Sequence, residues 1–356
     1  MRIERNPSAV SDEDLTRIFD EPGFGKYYTD HMVQIDWSKS DGWHAARVQP
    51  YAPLSLDPAT SVMHYGQAIF EGLKAFRHPN NHVYAFRPDQ NANRFMKSAL
   101  RLQMPALPEQ MFIDSLRNFM QVDGRWVSDR PEQSLYIRPF MIATEVGLGV
   151  RPSSQYSFFI IASPVGPYFP QGVKPVSVWI STEFVRAAPG GTGEAKCAGN
   201  YAASLIAQAQ AAEHGCDQVV WIDALERKWI EEMGGMNLFF VYGKKVVTPS
   251  LTGTLLRGIT RDSILTLCKD LGFEPSEAMI SVDDLRKGLE SGEITEVFAC
   301  GTAAAITPIG TIKSDQGTWS VNSGQPGDVT MTLRNHLIGI QTGLQSDSHR
   351  WLMELC

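Results

Sequence analysis

The 356-residue sequence contains no apolar run approaching 18 residues, so no segment reads as a bilayer-spanning helix and no membrane partner is expected. Its first residues, Met1-Arg-Ile-Glu-Arg-Asn-Pro7 and then Ser11-Asp-Glu-Asp-Leu15, lack the apolar stretch of a secretory signal; the expectation is a cytoplasmic protein. Cysteine is scarce. The five residues Cys197, Cys216, Cys268, Cys300 and Cys356 are odd in number and widely spaced, with no Cys-x-x-Cys pair and no His-rich zinc spacing. They read as reduced thiols, and no metal is expected. Charge of one sign is never concentrated: 32 Lys+Arg stand against 39 Asp+Glu, a formal net charge of −7 without a long run of either kind. Nucleic-acid binding needs a clustered basic face to neutralise phosphates, so that class of partner is set aside. There is no internal repeat and no low-complexity segment.

What is present is core material. A composition of 43% hydrophobic, 20% charged and 10% aromatic residues is that of a soluble globular protein. The length exceeds the size at which one core stops growing, so about two domains are expected. The first half reads as α+β. Residues 73–77 and 83–87 are strand-like runs joined by Pro79-Asn-Asn-His82, which is hairpin chemistry. Pro88 and Asp89 open a helix with Ala92, Phe95, Met96 and Ala99 on one face, ending before Pro105. A second helix fits 109–121, and strands fit 134–143 and 156–163. The segment Ser163-Pro-Val-Gly-Pro-Tyr-Phe-Pro-Gln-Gly-Val-Lys-Pro175 carries four prolines and two glycines and cannot be a regular element. The expected division is therefore an N-terminal α+β domain at 1–164, an interdomain loop at 165–175 and a C-terminal mixed domain at 176–356. In the second half, strands are predicted at 176–182, 217–222, 229–233, 237–242, 244–248 and 295–300. An Ala-rich helix is predicted from about Asn200 to His214, and others from about Thr260, after the capping-box pattern Ser281-Val-Asp-Asp284, and at 328–344.

Lys196 is one of twelve lysines, and its setting singles it out. It follows Pro189-Gly-Gly-Thr-Gly193 and is flanked by Ala195, Ala198 and Gly199, small residues that let a backbone approach a flat ligand. A lysine freed from its ordinary pKa of about 10.4 by burial suits Schiff-base chemistry; the alternative is a surface lysine on a flexible loop. Tyr201 lies in the first turn of the following helix, where its phenol can point back toward the amine's partner. Glu232, in Glu232-Met-Gly-Gly-Met-Asn237, enters an apolar segment and there needs a partner, such as a protonated ring nitrogen; otherwise it is an exposed strand-end glutamate. Gly253-Thr-Leu-Leu-Arg-Gly-Ile-Thr260 runs into a helix whose first amides, with the Thr260 hydroxyl, suit a phosphate, or else form a plain N-cap. Gly301-Thr-Ala-Ala304 is a second small-residue turn after a strand.

Together these residues resemble the branched-chain amino acid aminotransferases, pyridoxal-phosphate enzymes of fold type IV. The resemblance spans about residues 30–345. It rests on Tyr65-Gly-Gln-Ala-Ile-Phe-Glu-Gly-Leu-Lys-Ala-Phe76, Phe86-Arg-Pro88, Asn93-Arg94, Tyr136-Ile-Arg-Pro139, Gly149-Val150, Ser163-Pro-Val-Gly166, Gly199-Asn-Tyr201, Glu232 with Asn237, Gly258-Ile-Thr-Arg261 and Gly301-Thr-Ala303. It implies a two-domain α+β fold whose C-terminal domain binds pyridoxal 5'-phosphate. Lys196 then corresponds to the lysine that holds the cofactor as a Schiff base and moves the substrate proton. Glu232 corresponds to the ring-nitrogen partner and Tyr201 to the phenol on the ring oxygen. Arg94, Ile259, Thr260 and Thr302 correspond to the phosphate cup, and Gly258 to a further cofactor-binding position. Read without the resemblance, Arg94 is an exposed residue on its helix.

For the substrates, the resemblance implies L-leucine, L-isoleucine and L-valine with their 2-oxo acids, and the 2-oxoglutarate/L-glutamate pair. Tyr136 and Arg138 are i and i+2 on a predicted strand and project to one face. The family pattern places Tyr136 and the Thr302-Ala303 amides on the α-carboxylate, and Arg138 on the acceptor's distal carboxylate. Phe70, Gly72, Tyr168 and Tyr201 line the pocket. Tyr65, Leu148 and Val150 correspond to residues given to a neighbouring subunit, which implies a homodimer with shared sites. The positions of the Cys-x-x-Cys pair found in some animal members are here Ala304 and Thr307, so thiol regulation of that kind is not expected. Gly235 stands where some relatives have threonine. Cys197 reads as a small buried filler. D-amino acid aminotransferases and aminodeoxychorismate lyases share the lysine, glutamate and phosphate cup, and a non-catalytic cofactor store is a reading of another class. Against the first two stand Tyr136-Ile-Arg138 and the Tyr65–Phe76 stretch; against the third stands the full catalytic set.

Overall fold

A computed structural model describes residues 1–168 and 172–356. Part of the predicted interdomain loop, 169–171, lies outside the described residues. Contacts divide the chain into two compact units: Met1–Pro167 with Ala195–Gly199 and Ile340–Cys356, and Tyr168–Glu194 with Asn200–Gly339. The units are therefore not two contiguous halves. The stretch around Lys196, placed by sequence order in the second half, belongs by its contacts to the first unit.

The first unit is built on a nine-stranded sheet. Its elements are β1 (Arg2–Ile3), α1 (Asp12–Asp20), β2 (His31–Ser38), β3 (Gly42–Pro50), α2 (Ser61–Tyr65), β4 (Ala68–Phe70), β5 (Leu73–Arg77), β6 (Val83–Phe86), α3 (Pro88–Arg101), α4 (Glu109–Asp123), β7 (Ser134–Ala143) and β8 (Gln155–Val165). The sheet order is β1-β3-β2-β8-β7-β5-β6, with the C-terminal strand Leu352–Glu354 added to β6 and β4 also pairing with β7. One face is covered by α3 and α4, whose stripes Ala92, Phe95, Ala99 and Phe112, Leu116, Phe119 are buried with Ile137, Met141, Phe158 and Ile160 of the sheet. The period-3.6 spacing of those residues makes each helix a one-faced element that must be buried. Along β7, buried residues alternate with half-buried ones, so Tyr136, Arg138, Phe140 and Ile142 share the face opposite the core. The sequence pattern does not predict the β2–β3 hairpin, because β3 has only Val48 fully buried and carries no clean alternation.

The second unit holds β9 (Val176–Ile180), α5 (Ala198–Ala202, begun at its boundary), α6 (Leu205–Glu213), β10 (Gln218–Ile222), β11 (Ile230–Met233), β12 (Met236–Tyr242), β13 (Lys245–Pro249), α7 (Ile259–Asp270), β14 (Glu274–Ala278), α8 (Val282–Ser291), β15 (Glu296–Gly301), β16 (Ala305–Ser314), β17 (Gly317–Ser320) and α9 (Asp328–Gln341). Strands run in the order β11-β10-β9-β16-β15-β12-β13-β14, and β11 pairs with β12 as well, closing a six-strand ring. Val178, Ile180, Val220, Ile222, Leu238, Phe240, Val297 and Ile309 are buried together. The predicted Ala-rich helix is two helices. The Tyr201 carbonyl is taken by the Ser204 amide at 3.1 Å and the Ser204 hydroxyl at 2.7 Å, which breaks the helix there. The Ser281–Asp284 capping box opens α8 as predicted.

Candidate active site

In the first unit, Lys196 is pinned through its backbone. Its amide donates to the Ser98 hydroxyl of α3 at 2.9 Å, its carbonyl accepts from the Phe70 amide at 3.0 Å, and Cys197 makes a bridge to Ile69. Cys197 is buried in the core, consistent with a small filler. The Lys196 amine lies 5.1 Å from the centre of the Phe70 ring, and the Arg138 guanidinium lies 4.7 Å from the centre of the same ring. Arg138 donates to the Tyr136 hydroxyl at 3.2 Å, while its buried Nε has no hydrogen-bond partner among the described residues. Phe70, Tyr136, Arg138 and Lys196 thus come together. Gly72 makes this arrangement fit: a Cβ there would stand 2.2 Å from the Tyr136 hydroxyl oxygen.

Arg94 is largely buried, unlike the exposed alternative. Its Nε and Nη2 donate to the two oxygens of Glu71 at 2.7 and 2.8 Å. Glu71 is fully buried and also accepts from Asn91 at 2.7 Å. Burial by itself raises its pKa, but the Arg94 charge and hydrogen bonds, the Lys196 charge and the Asn91 bond overcome this and hold the carboxyl below its ordinary value. Glu71 lies within the Tyr65–Phe76 motif, yet nothing local in the sequence gives it a role. Phe24 carries no sequence signal either, and its ring meets Tyr136 edge-on at 5.2 Å. With Gly25, Tyr28 and Ser163, Phe24 lines a pocket at Tyr136 and Arg138. No periodicity marks that segment.

Tyr65 and Leu148 are joined by a hydrogen bond. The Tyr65 hydroxyl donates to the Leu148 carbonyl, and the start of α2 is tied to the 145–147 loop by Ser61 and Gly147 amide bonds of 2.9 Å each. Leu148 is 67% and Val150 83% exposed, and Met63 and Val146 are exposed as well.

In the second unit, Glu232 of β11 is buried opposite Asn237 of β12. Its Oε2 accepts from Arg186 Nε at 2.9 Å, and its Oε1 accepts from the Leu256 amide at 2.7 Å and Asn237 at 3.3 Å. The exposed strand-end alternative is thereby excluded. Gly258 precedes α7 and gives it no side-chain cap, so the first-turn amides at Ile259 and Thr260 are donors without an intrahelical acceptor, and the Thr260 side chain is buried. A Cβ at Gly258 would stand 2.0 Å from Asn237 Oδ1, so glycine is needed where this turn passes the Glu232 frame. Thr302 and Ala303 sit half-buried in the turn between β15 and β16, closed by Ala305 with φ +58°. Tyr201 is half-buried beside Gly235, where a Cβ would make ordinary contact at 3.6 Å. Tyr168 is exposed. Among the described residues no cluster of His, Cys, Asp and Glu is placed to hold a metal, and no helix is long and apolar enough to cross a membrane.

Arg94, Arg138, Lys196, Glu232 and the start of α7 all lie within residues 68–312, which match the family model for class IV amino-transferases, and the protein is a member of that class. It is 57% identical to a probable branched-chain-amino-acid aminotransferase of Streptomyces coelicolor, over 99% of this chain and 98% of that one. The identity to the branched-chain-amino-acid aminotransferase of Mycolicibacterium smegmatis is also 57%, over 99% and 97%. The branched-chain amino acid aminotransferase of Escherichia coli superposes with a TM-score of 0.72 at 28% identity, over 91% of this chain and 99% of that one. The T.th. branched-chain amino acid aminotransferase crystallised with pyridoxamine 5'-phosphate superposes with 0.73 at 26%, over 90% and 98%. Within class IV, the chain belongs to the branched-chain amino acid aminotransferases.

Proposed function

We propose that the protein transfers the amino group of L-leucine, L-isoleucine or L-valine to 2-oxoglutarate in a reversible ping-pong cycle, with pyridoxal 5'-phosphate held covalently by Lys196. The donor set suits that cofactor: a buried carboxylate for a protonated ring nitrogen, and a largely buried arginine and an uncapped helix start for a dianion. When bound, the cofactor draws electrons from the substrate α-carbon. The Lys196 amine would serve as the base that moves the substrate α-proton. Glu232 would accept a hydrogen bond from the protonated ring nitrogen, and the Tyr201 phenol would bond the ring oxygen. Arg94, Ile259, Thr260 and Thr302 would hold the phosphate, with Gly258 at the cofactor beside them.

The observation that carries the substrate reading is the placement of Arg138. A pocket must accept both an apolar side chain and the distal carboxylate of 2-oxoglutarate. Here one guanidinium lies over the Phe70 ring, bonded to Tyr136, with a buried Nε that has no acceptor among the described residues. An acceptor carboxylate satisfies that cation, while Phe70 and Phe24 offer apolar wall to Leu, Ile or Val, each buried CH₂ contributing about 0.8 kcal/mol. Gly72, Tyr136 and Ala303 receive the α-carboxylate, and Tyr168 and Tyr201 complete the lining. The exposed Tyr65, Leu148 and Val150 are read as the residues one copy lends to the other in a cytoplasmic homodimer. The test is Arg138→Ala. Loss of charge-assisted hydrogen bonds worth about 1.5–3 kcal/mol predicts a roughly 10- to 150-fold fall in kcat/KM for 2-oxoglutarate, with a much smaller fall for 4-methyl-2-oxopentanoate in the reverse direction. Equal losses for both would end the distal-carboxylate role.

A further inference from the structure

Arg186 lies on no regular element and nothing in its sequence setting assigns it a role, yet it is among the few buried arginines, 8% exposed. Its Nε is 2.9 Å from Glu232 Oε2. Its remaining nitrogens are fastened to backbone carbonyls: Nη1 to Thr254 at 2.9 Å, and Nη1 and Nη2 both to Gly193 at 3.4 Å. The carbonyl it grips at Thr254 is packed so closely on Gly193 that a Cβ there would approach it to 2.2 Å. The guanidinium therefore cannot swing away without breaking a packed frame. Two further donors to Glu232, the Leu256 amide and the Asn237 side chain, are neutral.

We infer that Arg186 is a positioning residue for the cofactor's ring-nitrogen proton: by pairing with Glu232 it holds that carboxylate ionised and aimed, so that the proton rests on the ring nitrogen and not on Glu232. The inference rests on the reading of Glu232 as the ring-nitrogen partner. Its physical basis is a competition for one proton. A carboxylate this deeply buried, bonded to neutral amides alone, gains proton affinity from desolvation and takes the proton from a ring nitrogen beside it. A cation in direct contact lowers the proton affinity of the carboxylate more than that of the ring nitrogen, which lies farther off. The nearby Cys300 does not alter the balance, because complete burial pushes its thiol pKa well up and keeps it neutral. Arg261, buried on α7, is engaged with Glu277 at 3.1 Å and the Pro249 carbonyl at 2.9 Å.

The test loads holoenzyme with cofactor labelled with ¹⁵N at the ring nitrogen and reads its resonance, which separates protonated from unprotonated pyridine nitrogen. Wild type is expected to show the protonated signal and Glu232→Gln the unprotonated one. Arg186→Gln moves toward the Glu232→Gln position, and Arg186→Lys, which restores a charge, moves back. A folded Arg186→Gln protein with the wild-type resonance, beside a shifted Glu232→Gln, overturns the inference alone. An unshifted Glu232→Gln overturns the parent reading of Glu232. If Arg186→Gln does not melt cooperatively, isotope-edited infrared spectroscopy of the cofactor-stripped wild type decides. An ionised carboxylate band absent from Glu232→Gln supports the inference, and a protonated carboxyl band at that position overturns it.

Discussion

Replacing Gly72 by alanine tests the substrate end of the site with one methyl group. The added Cβ would lie 2.2 Å from the Tyr136 hydroxyl oxygen and 3.0 Å from Cζ. Ordinary van der Waals separation requires the phenol to retreat by roughly 1 Å. Tyr136 has little room for this, because its ring meets Phe24 edge-on at 5.2 Å and its hydroxyl holds Arg138 at 3.2 Å. A 1 Å misplacement of a positioning group costs about 100-fold in rate, or about 2.7 kcal/mol, and the overpacking itself about 1–3 kcal/mol of stability. Gly72→Ala should therefore lose about 100-fold in kcat/KM for L-leucine and for 2-oxoglutarate alike, since under the proposed function both present an α-carboxylate to Tyr136. Cofactor loading, read from the visible absorbance, should persist because neither Lys196 nor Arg94 is displaced. Steady-state kinetics with each substrate varied, beside the absorbance spectrum and a thermal melt, provide the measurement. A folded variant within threefold of wild type for both substrates would refute the reasoning, as would a selective loss for one of them.

Further outcomes follow from buried groups elsewhere. Lys196→Ala should lose the visible band of the covalently held cofactor and amino transfer with it; a retained band would remove Lys196 from its role. Glu296 is buried and accepts the Val329 and Thr330 amides at 3.0 and 2.8 Å, and so caps α9. Glu296→Ala should lower stability by about 2 kcal/mol, seen as a lower denaturation midpoint, and an unchanged midpoint would contradict the capping role. Glu231 bonds the Thr254 hydroxyl, and burial pushes its carboxyl pKa up. The folded chain then holds this proton more tightly than the unfolded chain, so the contribution of Glu231 to stability falls as pH rises from about 4.3 through the raised value. Glu231→Gln should match wild type below that window and melt higher above it; a difference independent of pH would show that the carboxyl does not titrate in this way.

How legible the site was depended on how local its logic is. The strand predicted at 134–143 matches β7 at its observed limits, and a strand's period alone then puts Tyr136 and Arg138 on one face. The spacing of Ala92, Phe95 and Ala99 likewise predicted α3, and with it the inner side of the helix that carries Arg94. Glu71 and Arg186 were not legible, because what makes them matter is a partner far along the chain, Arg94 in one case and Glu232 in the other. Composition and period are blind to such pairs. Lys196 shows the same limit. The segments before Ala195 and after Gly199 lie in the second unit, but Phe70 and Ser98 bind the Lys196 backbone within the first. The break between α5 and α6 hid in an alanine-rich stretch, because a single serine hydroxyl competing for the Tyr201 carbonyl leaves no trace in a hydrophobic pattern.

The central claim is best tested by a donor panel at fixed 2-oxoglutarate with added pyridoxal 5'-phosphate, following L-glutamate formation. The account predicts rapid turnover with L-leucine, L-isoleucine and L-valine and none with D-alanine. Turnover of D-alanine without L-leucine, or no transfer from any of the three branched-chain amino acids, would contradict it.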